Sequence, residues 1–207
     1  MAKSRMNITK ITVPMGRFQY VHLDEPTKAP DTAGEPSYQV TLIYDSGDNV
    51  EPLKELIEAL AIEEFGAAKY KQLVNQNKFK NPLKPNSLKV YFDEDGNERT
   101  MKGFEDSDGF HISFKTRNKD RLAIYDAARK EIDESAVKAG YYGRVNAGFG
   151  AFDVGGGTGV TAYLNSIQVC KSGELLGGGS AATADDFEDY SASDAILASD
   201  ISEETPF

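Results

Sequence analysis

The chain has 207 residues, 40% hydrophobic and 27% charged, enough for one globular domain with a sizeable core and some unstructured length besides. One cysteine, Cys170, cannot form an internal disulfide, and with only two histidines beside it no zinc site closes without carboxylates, so a disulfide scaffold and structural zinc are excluded. The net charge of −10 is unevenly held: residues 1–171 carry all 23 Lys and Arg against 24 Asp and Glu, whereas 172–207 carry nine acids and no base. The acid excess therefore says little about the partners of the body.

In chain order, ITKITVP (8–14), RFQYVHL (17–23) and SYQVTLIYD (37–45) are short, rich in β-branched and aromatic residues, and bounded by Pro, Gly and Asp, which predicts strands. From 50 to 76, Leu53, Leu56, Ile57, Leu60 and Phe65 recur at helical spacing with Pro52 suited to a first turn, predicting one long helix interrupted near Gly66. NPLKPNS (81–87) reads as a loop. GFHISFKTR (109–117) and RLAIYD (121–126) form the next strand group, a short helical piece follows around Arg129 to Lys138, and YYGRVNAGFGAF (141–152) and GVTAYLNSIQVC (159–170) complete the strands. Five or six strands with one long helix inserted after the second or third predict a small closed β-barrel, with an all-β sandwich as the alternative. Cys170 reads as a buried strand residue. From Ser180 onward the chain is built of Ala, Ser, Asp and Glu behind a Gly-Ser hinge, LLGGGS, a composition that cannot offset the entropy of ordering. The folded domain is expected to end near Gly177.

Period-two alternation separates the faces of the later strands. Phe110, Ile112 and Phe114 share one side and His111, Ser113, Lys115 and Arg117 the other; Val145, Ala147 and Phe149 alternate with Tyr142, Arg144, Asn146 and Phe152; Val160, Ala162 and Leu164 alternate with Thr161, Tyr163 and Asn165. The second faces are basic and aromatic without acids. Cations spaced along phosphates and flat side chains on which unpaired bases stack are what a single-stranded nucleic acid needs, although a solvated sheet face has the same composition.

Other motifs carry less. GGGTG (155–159) lacks the Gly-Lys-Ser/Thr of a P-loop and leads into a strand, so a hairpin turn is the expected reading. The carboxylates of DED (93–95) and EDSD (105–108) have no EF-hand spacing and read as solvated loops, and no His or Lys stands beside them at the motif spacing of a metal-dependent nuclease. His22 and His111 have no Ser or Cys partner at motif spacing. No apolar run approaches the roughly 18 to 20 residues of a membrane span, and MAKSRMNITK lacks the apolar stretch of a signal peptide; the expectation is a soluble intracellular protein.

The chain finishes ASDISEETPF, acids closing on Pro206-Phe207, which is a portable docking peptide with an aromatic anchor. This end resembles the acidic, phenylalanine-terminated tails of bacterial single-stranded DNA-binding proteins. The body is similar to a phage-type single-stranded DNA-binding family through RFQYVHLDEP (17–26), SYQVTLIYD (37–45), NPLKP (81–85), ISFKTRNKDRLAIYD (112–126) and YYGRVNAGFGAFDVGGGTGVTAYLNSIQVCKSGELLGG (141–178), in the same order along the chain.

The resemblance implies a mainly β fold: an OB-fold-like five- to six-stranded barrel with one long inserted helix, a single-stranded DNA (ssDNA)-binding domain at 1–177 and a disordered acidic interaction tail at 178–207. It implies a non-enzymatic protein, without cofactor or metal, that coats ssDNA in phage replication, recombination or repair in the cytoplasm of an infected bacterial host. Phosphates would be tracked by Arg17, Lys84, Lys115, Arg117, Arg121 and Arg144, and bases stacked on Phe18, Tyr20, Tyr142, Phe152 and Tyr163. The expected partners are ssDNA and replication proteins (polymerase, helicase or primase) engaged by Asp200, Glu203, Glu204, Pro206 and Phe207 of the tail, with no membrane and with room for a homodimer. A protein–protein adaptor or DNA-mimic inhibitor acting through the acidic tail is the alternative.

Overall fold

The computed structural model describes residues 7–28, 35–155 and 157–176, apart from the Arg121 side chain; the expected disordered tail, with its five docking residues, lies outside them. Among the described residues there are eleven strands: β1 (Thr9–Thr12), β2 (Gly16–Thr27), β3 (Ser37–Tyr44), β4 (Phe79–Lys80), β5 (Leu83–Pro85), β6 (Val90–Phe92), β7 (Glu98–Thr100), β8 (Phe110–Thr116), β9 (Ala123–Tyr125), β10 (Tyr142–Val154) and β11 (Gly157–Lys171). Two helices, α1 (Glu51–Phe65) and α2 (Ala67–Asn75), stand between β3 and β4.

Alternation in the long strands builds the core. Val40, Leu42 and Tyr44 of β3, Ile112 and Phe114 of β8, Val145, Ala147 and Phe149 of β10, and Val160, Ala162 and Leu164 of β11 are all buried in one cluster. The pairings run β2–β3, β3–β8, β8–β11, β11–β10 and back from β10 to β2, with β8 and β11 parallel and the rest antiparallel. This five-stranded, partly open ring has the Greek-key order of an OB-fold.

The ring is not a closed barrel, because two of its seams are narrow. β2 meets β10 at Arg17–Tyr142 and Gly16–Gly143, and β8 meets β11 only where Lys115 lies opposite Tyr163. Below that single pair β8 and β11 part, and the segment 79–85 fills the opening: β4 runs beside β11 at Thr158–Gly159 and β5 beside β8 at Phe110–Ile112. The stretch expected to be a loop at 81–87 is thus a short strand, β5, followed by a one-turn 3₁₀ helix at Asn86–Leu88. Backbone pairing there cannot be read from a segment holding two prolines, since the partners come from far along the chain.

Helix α1 buries Leu53, Ile57, Leu60 and Ala61 on one face and packs on β10 and β11. At Gly66 φ is 80°, a left-handed value that favours glycine and divides the expected long helix in two. Helix α2 buries nothing fully and leans on the body through Tyr70, whose ring meets Phe79 edge-on at 5.2 Å.

Three further details depart from expectation. The helical piece expected around 129–138 is a single 3₁₀ turn at Glu134–Ala136, capped by Asp133 accepting from the Ser135 amide. The β6–β7 hairpin was not anticipated; its turn is organised by Asp93, whose carboxylate accepts from the amides of Asp95 and Asn97 and from Arg99 Nε. Cys170 is half-buried rather than buried. After β11 the chain doubles back, so that Leu176 packs with Ile43 and Phe104 while Arg17 Nη2 donates to the Glu174 carbonyl at 2.8 Å.

Candidate nucleic-acid interface

On β8 the inward turn of Ile112 and Phe114 puts His111, Ser113 and Lys115 on the opposite side of the strand, where Lys115 is exposed, Ser113 half-buried and His111 covered by Phe104. β5 lays Lys84 opposite His111, and β11 lays Tyr163 opposite Lys115. β3 adds Gln39 opposite Lys115 and Thr41 opposite Ser113, where the two hydroxyls are 2.7 Å apart. From the 3₁₀ turn at 86–88 the chain delivers Lys89 onto the same surface, its Nζ 4.9 Å from the centre of the Tyr20 ring and 5.7 Å from that of Phe104. Tyr20 in turn stacks on Phe104 at 5.8 Å, so the lysine rests on an aromatic floor.

The electrostatics of this surface are one-sided. Burial holds Lys89 below the usual lysine pKa, and the neighbouring Lys84 and Lys115 lower it further. His111 is pushed down to about 4 by burial and then by Lys89 and Lys84; it is neutral at pH 7 and contributes shape, not charge. Its Nδ1 is buried without a hydrogen-bond partner among the described residues. Among those residues, none of Lys84, Lys89 and Lys115 forms a salt bridge. Three cations are therefore held close enough to repel one another, an arrangement that costs the fold free energy and that a polyanion relieves.

The same outer face continues along β11. Thr161 and Tyr163 point outward between the buried Val160, Ala162 and Leu164, and Phe152 lies opposite Gly159 on that side. Of the residues expected at the interface, Lys84, Lys115, Phe152 and Tyr163 are brought onto one continuous surface, with Tyr20 beneath Lys89. Arg117 follows Lys115 and pairs with Glu35 at 3.0 Å, both side chains being exposed.

Others go elsewhere. Phe18 is a correction: it is completely buried in the main core cluster and has no face to offer a base. Phe18 lies opposite the buried Leu42 on the core face, and Tyr20 does not share that face because the register with β3 shifts between Gln19 and His22 and Tyr20 takes a φ of 48°. Arg17, Tyr142 and Arg144 gather at the β2–β10 seam. Arg17 donates to the carbonyls of Gly140 and Glu174, Tyr142 lies between Arg17 (5.9 Å) and Lys171 (4.4 Å), and Arg144 Nε donates to the Val13 carbonyl at 3.2 Å. The Arg121 side chain lies outside the described residues, as do Asp200, Glu203, Glu204, Pro206 and Phe207. Sequence reasoning missed Lys89, which stands between a turn and a short strand with no alternation to assign its face.

Among the described residues no group of three His, Cys, Asp or Glu side chains is placed to hold a metal ion, and no helix is long and apolar enough to cross a membrane.

Known proteins resemble this chain in sequence and in fold. The family model described as Enterobacter phage Enc34, ssDNA-binding protein matches residues 9–197. Among solved structures, the single-stranded DNA-binding protein of bacteriophage Enc34 in complex with ssDNA superposes with a TM-score of 0.60 at 19% identity, over 81% of this chain and 89% of that one. The single-stranded DNA-binding protein gp2.5 of bacteriophage T7 superposes with a TM-score of 0.53 at 18% identity, over 89% and 97%. No curated protein matches.

Proposed function

We propose, from the premise that this chain belongs to the family of the Enterobacter phage Enc34 ssDNA-binding protein, that its β5–β8–β11 face binds ssDNA and that the protein coats and protects the strand. The observation that carries the reading is the cluster of Lys84, Lys89 and Lys115, held together against their mutual repulsion beside Tyr20 and Tyr163. Phosphates neutralise the lysines, and Tyr163 and Phe152 supply faces for unpaired bases, a stacking interaction of about 1–3 kcal/mol per base. Because every base has such a face, sequence preference is weak. The protein's work on this reading is sequestration without a catalytic step.

The setting we propose is phage DNA replication, recombination or repair in the cytoplasm of the bacterial host, with residues 1–177 as the DNA-binding domain. Residues 178–207, acidic and ending in Pro206-Phe207, would recruit replication proteins. As a tethered polyanion the same segment competes with DNA for the lysines, at an effective concentration set by the tether.

Fluorescence anisotropy of a labelled poly-dT oligonucleotide tests this with full-length protein and with residues 1–177, using duplex of the same length as competitor. The expected result is strand-selective, salt-sensitive binding that strengthens on truncation. Unchanged or weaker affinity after truncation at low salt removes the tail's competitive role. Failure of both proteins to bind removes the coating function and leaves an adaptor acting through the tail.

A further inference from the structure

Resting on the reading of this face as an ssDNA surface, we infer that Lys80 is a phosphate-binding residue and that the path of the strand continues along β11 to the β10–β11 hairpin tip. Three observations converge. First, Lys80 is in parallel register with Gly159, and residues in register share a face, so its side chain emerges on the side of Phe152, Thr161 and Tyr163. Second, that side chain lies over Gly157 and Gly159. A Cβ on Gly157 would sit 2.7 Å from Lys80 Nζ, and one on Gly159 would sit 2.7 Å from Lys80 Cβ. Gly157 and Gly159, in a segment without P-loop chemistry, thus have a different use: bare backbone that admits a lysine stem. Third, Lys80 beside the Phe152–Gly159 pair repeats the juxtaposition of Lys115 with Tyr163.

Two cation–aromatic stations therefore stand on one strand face, four residues of β11 apart, or about 13 Å at the rise of a strand. Between them the outward positions are Thr161 and, across from it, Gly150, which leave the surface low. The segment 79–85 carries Lys80 at its β11 end and Lys84 at its β8 end, so filling the open seam also sets the spacing of the two lysines. The ligand is the phosphodiester backbone of an extended single strand.

The test compares salt dependence of dT-oligonucleotide binding by full-length wild type, Lys80→Gln, Lys80→Arg, Lys115→Gln and, as control, Lys71→Gln on the exposed side of α2. Loss of one phosphate contact lowers the log–log salt slope by about 0.7. The expected result is that drop for Lys80→Gln, recovery in Lys80→Arg, and a wild-type slope for Lys71→Gln. In parallel, bound oligonucleotide should protect Lys80 from amine acetylation in the wild-type protein, a measurement that does not depend on a variant folding. If Lys115→Gln lowers the slope while Lys80→Gln keeps it and Lys80 stays reactive in the complex, the extended path is wrong and the ssDNA surface stands. If wild type does not bind, the parent reading falls.

Discussion

Lys115 and Tyr163 face each other across the β8–β11 seam, yet on the proposed reading they contribute through different physics, and salt separates them. If Lys80, Lys84, Lys89 and Lys115 each neutralise one phosphate, the log–log slope of affinity against salt is about −2.8, and affinity falls about 50-fold between 50 and 200 mM salt. Lys115→Met removes one counterion release, giving a slope of about −2.1 and a fall of about 18-fold over the same interval. Tyr163→Ala removes a stacking face worth about 1–3 kcal/mol, a loss of about 5- to 140-fold at every salt concentration with the slope unchanged. Tyr163 is 37% exposed on the outer face, so its truncation costs the fold about 1 kcal/mol or less. Anisotropy titrations at 50, 100 and 200 mM salt, with a thermal melt of each variant, read both quantities. A wild-type slope in Lys115→Met would show that Lys115 touches no phosphate. A changed slope in Tyr163→Ala would show that the tyrosine acts by placing lysines rather than by stacking.

Lys89→Met keeps the stem and removes a charge disfavoured by burial, Lys84 and Lys115; the melting temperature should rise by up to about 3 °C while ssDNA affinity falls, and a lower melting temperature would mean that the contacts with Tyr20 and Phe104 outweigh the repulsion. Phe18→Ala should destabilise by about 3–5 kcal/mol in a denaturant melt, with the salt slope of the folded fraction unchanged; a stable variant that binds weakly would restore Phe18 to the interface. His111 has its folded pKa lowered to about 4 from about 6.5 when unfolded, so the unfolded chain binds the extra proton first. Stability is then full above pH 6.5 and is lost as pH falls toward 4, by about 3 kcal/mol in all. A His111→Gln protein should show a flatter stability profile across that window, and an identical profile would refute the assignment.

Much of this molecule is written locally. Alternation in 110–117, 141–152 and 159–165 separates core from outer face, and it does so because successive side chains of a strand must point to opposite sides. The 3.6-residue period of Leu53, Ile57 and Leu60 and the break at Gly66 are equally local. So is the segregation of nine acids beyond residue 171. The candidate site was legible to the same extent: Lys115 and Tyr163 stand at unambiguous outward positions of regular strands.

Where the local rule lapses, only the tertiary structure decides. Phe18 and Leu23 both face the core although their positions differ by five, an odd number, because the irregularity at Tyr20 shifts the phase of β2. Lys80, Lys84 and Lys89 lie in short pieces with no period to read, and their faces are set by partners distant in sequence: Gly159, His111 and the Tyr20–Phe104 stack. Composition and alternation specify which residues leave water, since burial is a property of each strand's pattern. Which cations meet is a property of register and of the seam left open between β8 and β11, and register is settled only when the strands pair.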